Sequence, residues 1–255
     1  MTTALVTGAT AGIGESFTRM LAAKGFDLVL VARDKKRLQE RANSLSKKYS
    51  VEVEVLQADL SVPAQLARVE KRLSNPKKPI EVLINNAGFG IKDSFLASNL
   101  ADEIQLMDVL AKAPMQLMHA VLPQMLSRDS GTIINVSSVA SFIAGGTYSA
   151  AKSYLTVHTE SLHTELSKTK INISALCPGF THTEFHQRGN MKMSGLPNFM
   201  WLEADRVVAD SWRAALAGRA ICIPGWQYKT LSTIARFGPR PLVRKLGIKV
   251  RARQR

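Results

Sequence analysis

At 255 residues, with 45% hydrophobic and 21% charged content, the chain can bury a sizeable core and fits one α/β domain. Two cysteines exclude a disulfide framework, no apolar run is long enough to span a bilayer, and Met1-Thr-Thr-Ala shows no basic leader or cleavage pattern, so a soluble cytoplasmic protein is expected. The net charge of +14 is unevenly placed: residues 211–255 hold eleven Lys and Arg and no acid, leaving the first 210 residues at +3 (23 basic minus 20 acidic).

In chain order, Thr3 to Thr7 reads as a short buried strand. The glycine-rich turn Gly8-Ala-Thr10-Ala-Gly12-Ile13-Gly14 follows, then a helical pattern from Glu15 to Lys24 and a second strand from Asp27 to Val31. Such a turn offers backbone N–H groups at a helix N-terminus, a suitable seat for a pyrophosphate. Gly8, Thr10, Gly12, Ile13 and Gly14 are therefore candidate cofactor residues. After the second strand comes Ala32-Arg33-Asp34. Asp34 is placed to cap the helix Lys35 to Lys48, which leaves Arg33 to face the adenosine ribose. A cation there favours the 2′-phosphate of NADP over NAD.

Strand three (Glu52 to Leu56) leads to Asp59-Leu60 and a helix opened by Pro63, a residue that suits a first helical position. Strand four (Glu81 to Ile84) ends in Asn85-Asn86-Ala87-Gly88, whose small and amide residues permit close approach of a cofactor. A long helix is predicted from Ala101 to Leu126. Strand five (Thr132 to Val136) ends in Ser137-Ser138, a helix carries Tyr148, and strand six (Ile171 to Cys177) ends in Pro178-Gly179. A helix from Glu203 to Ala217 and strand seven (Ala220 to Ile223) complete the alternation. The pattern implies a parallel sheet of about seven strands, doubly wound with helices on both faces. No repeat or second domain is visible. Residues 1–225 are read as the dinucleotide-binding and catalytic domain, and 226–255 as a basic C-terminal extension.

The chemistry centres on Tyr148-Ser-Ala-Ala-Lys152. Residues four apart share a helix face, so the Lys152 ammonium can lie near the phenol. At ~4 Å and an effective dielectric of ~20 it favours phenolate by roughly 4 kcal/mol. That is about three pK units below the free value of ~10, which would make Tyr148 a general acid near neutrality. Ser138 lies ten residues upstream at the edge of an apolar run. His182 and His186 share a spacing seen in zinc sites, but they follow Pro178-Gly179 without a third ligand, so no metal is expected. His119, His158 and His163 read as ordinary helix residues, and Cys177 and Cys222 as buried thiols.

Taken together, Thr7-Gly8-x-x-x-Gly12-Ile13-Gly14, Asp59-Leu60, Asn85-Asn86-Ala87-Gly88, Ser138, Tyr148-x-x-x-Lys152, and Pro178-Gly179 with Thr181 and Thr183 resemble the short-chain dehydrogenase/reductase family from about Thr3 to Ile223. Within it the chain most resembles the ketoacyl-reductase-like proteins of actinobacteria. The resemblance implies a single-domain Rossmann fold and a homodimer or homotetramer. It also implies roles. Ser138 would hold the substrate oxygen, with Ser137 as the alternative because the following loop is short. Tyr148 would exchange the proton, and Lys152 would bind the nicotinamide ribose. Asp59 and Leu60 would flank the adenine; Asn86, Ala87 and Gly88 would line a ribose; Pro178, Gly179, Thr181 and Thr183 would meet the nicotinamide end. A substrate lid would span about 184–202, where the Met191 to Met200 stretch with Phe199 and Trp201 suits an apolar ligand.

One position departs from the family pattern: its catalytic asparagine aligns with Leu110. Pro114, four residues on, has no N–H for the Leu110 carbonyl, so the helix is expected to deform there and release that carbonyl to a water. Three readings follow. The first is an NADP-dependent oxidoreductase interconverting an apolar or acyl-linked ketone and its alcohol. The second is an NADP-binding sensor or scaffold with little turnover. In the third, the basic end binds an anionic surface; Leu231, Ile234 and Phe237 share a helical face, which suits the inner face of a membrane better than nucleic acid.

Overall fold

The structure, a computed structural model, describes residues 2–185, 197–239, 241, 243 and 244. Seven strands form one parallel sheet: β1 (Thr3–Thr7), β2 (Asp27–Ala32), β3 (Val53–Gln57), β4 (Val82–Asn85), β5 (Gly131–Val136), β6 (Ile171–Leu176) and β7 (Ile221–Cys222). Their order is β3-β2-β1-β4-β5-β6-β7, so the winding reverses between β1 and β4. Ligands of such sheets bind outside the carboxyl ends of the strands at that reversal.

The sheet is covered on both sides, and its strands are apolar on both faces for that reason. Ala4, Val6, Leu28 and Leu30 point to one layer, where Phe17 and Leu21 of α1 (Gly12–Ala23), Leu38 of α2 (Lys35–Tyr49) and Trp212 of α7 (Ala204–Leu216) pack. Leu5, Val29 and Val31 point to the other. There they meet Leu66 and Val69 of α3 (Pro63–Leu73), Leu117 and Val121 of α5 (Ala113–Arg128), and Leu155 of α6 (Thr147–Glu165). Each of these large side chains contributes roughly 1.5–3 kcal/mol by leaving water.

Local chemistry accounts for the helix ends. The Asp34 carboxylate accepts from the Arg37 N–H at 3.0 Å and caps α2, as its position predicts. Pro63 opens α3. Helix α1 starts at Gly12 rather than Glu15, because the end of the glycine turn is itself the first helical turn. Strand β7 holds two residues instead of four.

The long helix expected over 101–126 is interrupted. Helix α4 (Leu100–Met107) passes into a π-helical turn, Asp108–Lys112, before α5. There the Ala113 N–H reaches the Asp108 carbonyl, five residues back. Pro114 explains the position: an α-helical partner for the Leu110 carbonyl would be its N–H, which proline lacks. Helix α8 (Trp226–Phe237) ends at Gly238 and buries Tyr228 in the same layer as Phe17 and Trp212. Val243 is also buried, while Leu242 and Leu246 lie outside the described residues. No described helix is long and apolar enough to cross a membrane.

Candidate active site

A cleft of about 1130 Å³ runs along the carboxyl ends of the central strands. Every sequence-predicted site residue except Gly14 lines it: Gly8, Thr10, Gly12, Ile13, Arg33, Asp59, Leu60, Asn86, Ala87, Gly88, Ser138, Tyr148, Lys152, Pro178, Gly179, Thr181 and Thr183. Gly14 stands just behind, and a Cβ there would overlap the Gly8 carbonyl and the Asn86 amide.

The glycine turn is held by contacts that side chains would block. Gly8 has φ +66, and Asn86 Nδ2 donates to the Thr7 and Gly8 carbonyls at 3.0 and 3.2 Å. Thr7 Oγ1 accepts from the N–H groups of Asn86 and Ala87, fastening β1 to β4. Gly12, at φ +55, would put a Cβ 2.9 Å from Thr183, so the loop after β6 can close over the turn only because this residue is glycine. No side chain caps α1, whose N-terminus opens onto the cleft. A turn of this shape, with uncapped N–H groups, fits a pyrophosphate.

At the adenosine end, Asp59 is engaged internally, its carboxylate accepting from the N–H and hydroxyl of Ser61 at 2.9 and 2.7 Å. Arg33 lines the cleft, and Arg37 beside it donates to the Glu184 carboxylate at 2.9 and 3.2 Å. The Arg33 guanidinium suits a 2′-phosphate, whereas Arg37 spends N–H groups on Glu184 and the Thr10 carbonyl.

At the other end the serines separate. The Ser137 hydroxyl is buried, donating to the Lys152 backbone carbonyl at 3.0 Å and sharing a 2.7 Å bond with Thr156. Ser138 caps the turn Val139–Phe142, accepting from Ala140 N–H at 3.1 Å, and its hydroxyl stands beside the Tyr148 phenol. Ser138, not Ser137, faces the cleft chemistry. Lys152 is 5% exposed and donates from Nζ to the Val136 carbonyl at 2.7 Å, 5.9 Å from the Tyr148 ring centroid.

The electrostatics depart from the sequence reading. Tyr148 keeps part of its surface open to the cleft, yet the protein around its phenol pushes the pKa up to about 12, with the Ser138 hydroxyl pulling it partly back. Burial lowers Lys152 to about 8. The expected depression of Tyr148 by Lys152 is therefore not found: desolvation dominates, and the ammonium points at a carbonyl rather than the phenol. The tyrosine is held protonated.

Leu110 is fully buried with its Cδ1 3.6 Å from where a Gly88 Cβ would stand, in one apolar cluster with Ala87, Phe89 and Tyr148. His182 stacks on Trp201, ring centroids 4.8 Å apart; His186 and most of the predicted lid lie outside the described residues. Beneath the site, Asn85 donates to Asn135 Oδ1 at 2.9 Å, and Asn135 donates to Thr159 Oγ1 at 2.8 Å.

Two contributors escape a local reading. Arg37 and Glu184 are 147 residues apart, and only the fold pairs them. Tyr228 accepts from the Phe180 N–H at 3.0 Å and donates to the Met200 carbonyl, while its ring lies against Gly179, where any Cβ would overlap it. Tyr228 thus positions the loop that follows β6. The aromatic residue 49 positions beyond Gly179 carries no signal by spacing.

Fold and cleft define a doubly wound α/β protein with a serine, a tyrosine and a lysine gathered beside a glycine turn. The chain belongs to the short-chain dehydrogenase family, whose profile matches residues 2–193. It is 35% identical over 188 residues to the NADP-dependent 3-hydroxy acid dehydrogenase of Schizosaccharomyces pombe, covering 72% of this chain and 73% of that one. Among solved structures it is similar to a short-chain dehydrogenase from Sphingobium yanoikuyae in complex with NADPH. That match has 34% identity and a TM-score of 0.85, covering 91% and 93% of the two chains. It is also similar to the bulky-bulky ketone specific alcohol dehydrogenase from Comamonas testosteroni, with 30% identity, a TM-score of 0.80 and 93% of each chain covered.

Proposed function

We propose that this chain is an NADPH-dependent reductase of an apolar or acyl-linked ketone. The observation that carries the reading is the placement of Ser138, Tyr148 and Lys152 in one cleft with the glycine turn and with Arg33 and Arg37. The similar NADP-dependent and NADPH-bound proteins support the cofactor, and the ketone-specific relative supports the reaction. When bound, NADPH supplies a hydride to the carbonyl carbon. Ser138 donates a hydrogen bond to the carbonyl oxygen, and Tyr148 passes its phenolic proton to that oxygen as the alcohol forms. Lys152 holds positive charge beside the ribose. Arg33 takes the 2′-phosphate, and the N-terminus of α1 takes the pyrophosphate. Phe89, Ile91, Ile143, Phe185 and Leu231 make the substrate end apolar.

Exposed Ile104, Met107, Met115, Tyr154 and Val157, on α4, α5 and α6, form a face suited to a second copy; the expected homodimer or homotetramer would show in sizing. The basic C-terminus is read as a peripheral contact with an anionic bilayer. A screen of ketones and β-ketoacyl thioesters of graded length with NADPH and NADH tests the function. Specificity should favour NADPH by roughly ten- to a hundredfold. It should also rise with chain length, by up to ~0.8 kcal/mol per buried methylene. NADPH binding without consumption of any ketone would instead indicate a sensor or scaffold.

A further inference from the structure

Helix α8 has two faces with different tasks. Tyr228, Ser232 and Ala235 are buried, and Leu231, Ser232 and Ala235 form part of the cleft wall at its apolar end. At 100° per residue, Trp226, Thr230, Thr233 and Phe237 share the opposite stripe. All four are exposed, Trp226 at 73% and Phe237 at 83%. The two aromatic rings therefore stand at the ends of one outward stripe about 16 Å long. Ile234, 48% exposed, flanks the stripe on one side and Lys229 on the other, while Arg236 turns to Glu160 at 3.7 Å and to the Phe142 ring. Phe199, 60% exposed, adjoins the helix start, because its carbonyl accepts from Gln227 Nε2 at 2.9 Å. Large apolar side chains clustered this way on a helix mark a contact surface.

We infer that the outward face of α8 docks on an anionic lipid bilayer and sets the apolar end of the cleft at the membrane surface, where a bilayer-dissolved ketone enters. The inference rests on the reductase reading for the substrate alone. The choice of partner comes from charge. Helix α8 itself carries Lys229 and Arg236 and no acid. A second copy meeting this face through a twofold axis would set like charges against like, whereas an anionic leaflet opposes them. Aromatic residues at the ends of an amphipathic basic helix suit the headgroup boundary. The wall of α8 joins the two functions. Through Tyr228, its buried face holds Phe180 and Met200 at the cleft, so a helix lying flat on the headgroups brings the apolar end of the site with it. Long-chain ketones concentrate in bilayers, which makes that placement useful for the substrate proposed.

The test uses the full chain with phosphatidylglycerol-containing vesicles, neutral phosphatidylcholine vesicles, a water-soluble ketone and a long-chain ketone carried in the vesicles. Flotation should show binding to the anionic vesicles at low salt and its loss at high salt. Trp226→Ser and Phe237→Ser should each weaken binding about tenfold. Lys229→Gln should weaken it about fivefold. These residues lie outside the cleft lining, so turnover of the soluble ketone should stay at the wild-type level while turnover of the vesicle-borne ketone falls with binding. Absence of binding at low salt, equal binding to neutral vesicles, or binding indifferent to all three substitutions would overturn the inference. Self-association abolished by Trp226→Ser, with no vesicle binding, would reassign the face to a second copy. Vesicle binding with no ketone reduced would leave the docking face standing and remove the reductase reading.

Discussion

Lys152 should cost the fold stability at neutral pH, and the cost should disappear in alkali. Burial lowers its pKa from 10.5 to about 8. Below pH 8 both states carry the proton, and the folded state bears the full penalty, about 3 kcal/mol for a shift of that size. Between pH 8 and 10.5 the unfolded chain binds more protons than the folded one, so stability rises with pH across that window. Lys152→Met removes the penalty and also the 2.7 Å bond to the Val136 carbonyl, an unpaired acceptor costing about 1–3 kcal/mol. The two partly offset at pH 7, so the informative quantity is the change in the difference between variant and wild type. Urea unfolding at pH 7 and pH 10 should show the variant losing about 2–3 kcal/mol relative to wild type. Tyr148, raised to about 12, destabilises only above pH 10 and is common to both proteins. A difference that does not move with pH would refute the claim that burial depresses this lysine. The same titration should appear in catalysis as a decline in ketone reduction above about pH 8, where Lys152 loses its charge.

Tyr148→Phe removes the proposed proton donor and should lower kcat for ketone reduction by roughly 10²–10⁴ while NADPH affinity, followed by fluorescence, changes little; retained turnover would exclude the phenol as the acid. Gly179→Ala drives a methyl into the Tyr228 ring and should destabilise the chain by about 1–3 kcal/mol in chemical denaturation, and an unchanged midpoint would contradict the packing described. Pro114→Ala restores an N–H opposite the Leu110 carbonyl and should regularise the turn at Asp108–Lys112. Its kcat is expected to fall more than that of Leu110→Ala, and the reverse order would sink a role for the distorted backbone.

What could be read from the sequence was local. The glycine turn, the Tyr148–Lys152 spacing, the Asp34 cap and the break at Pro114 each depend on a few neighbouring residues, and each stands where the pattern put it. The phenol's pKa was not local. Spacing gives the distance between two side chains, but desolvation depends on every element around them, and here it exceeds the attraction. Likewise the choice between Ser137 and Ser138 turned on which hydroxyl α6 engages, and the Arg37–Glu184 and Gly179–Tyr228 contacts join segments with no shared pattern.

The paired amides below the cleft have a consequence for strand alignment. Strands β4 and β5 are buried along their whole length, so no alternation of apolar and polar residues fixes how far one is slid against the other. Asn85 and Asn135 are cross-strand partners, and their amides meet only in this alignment. A shift of one residue would turn one amide to the opposite face, into contact with apolar side chains and without a partner, at a cost of about 1–3 kcal/mol for each unpaired group. The pair acts as a key between otherwise interchangeable strands, and since both strands end at the cleft, it also fixes the stagger there, with Ser138 standing two residues further along than Asn86.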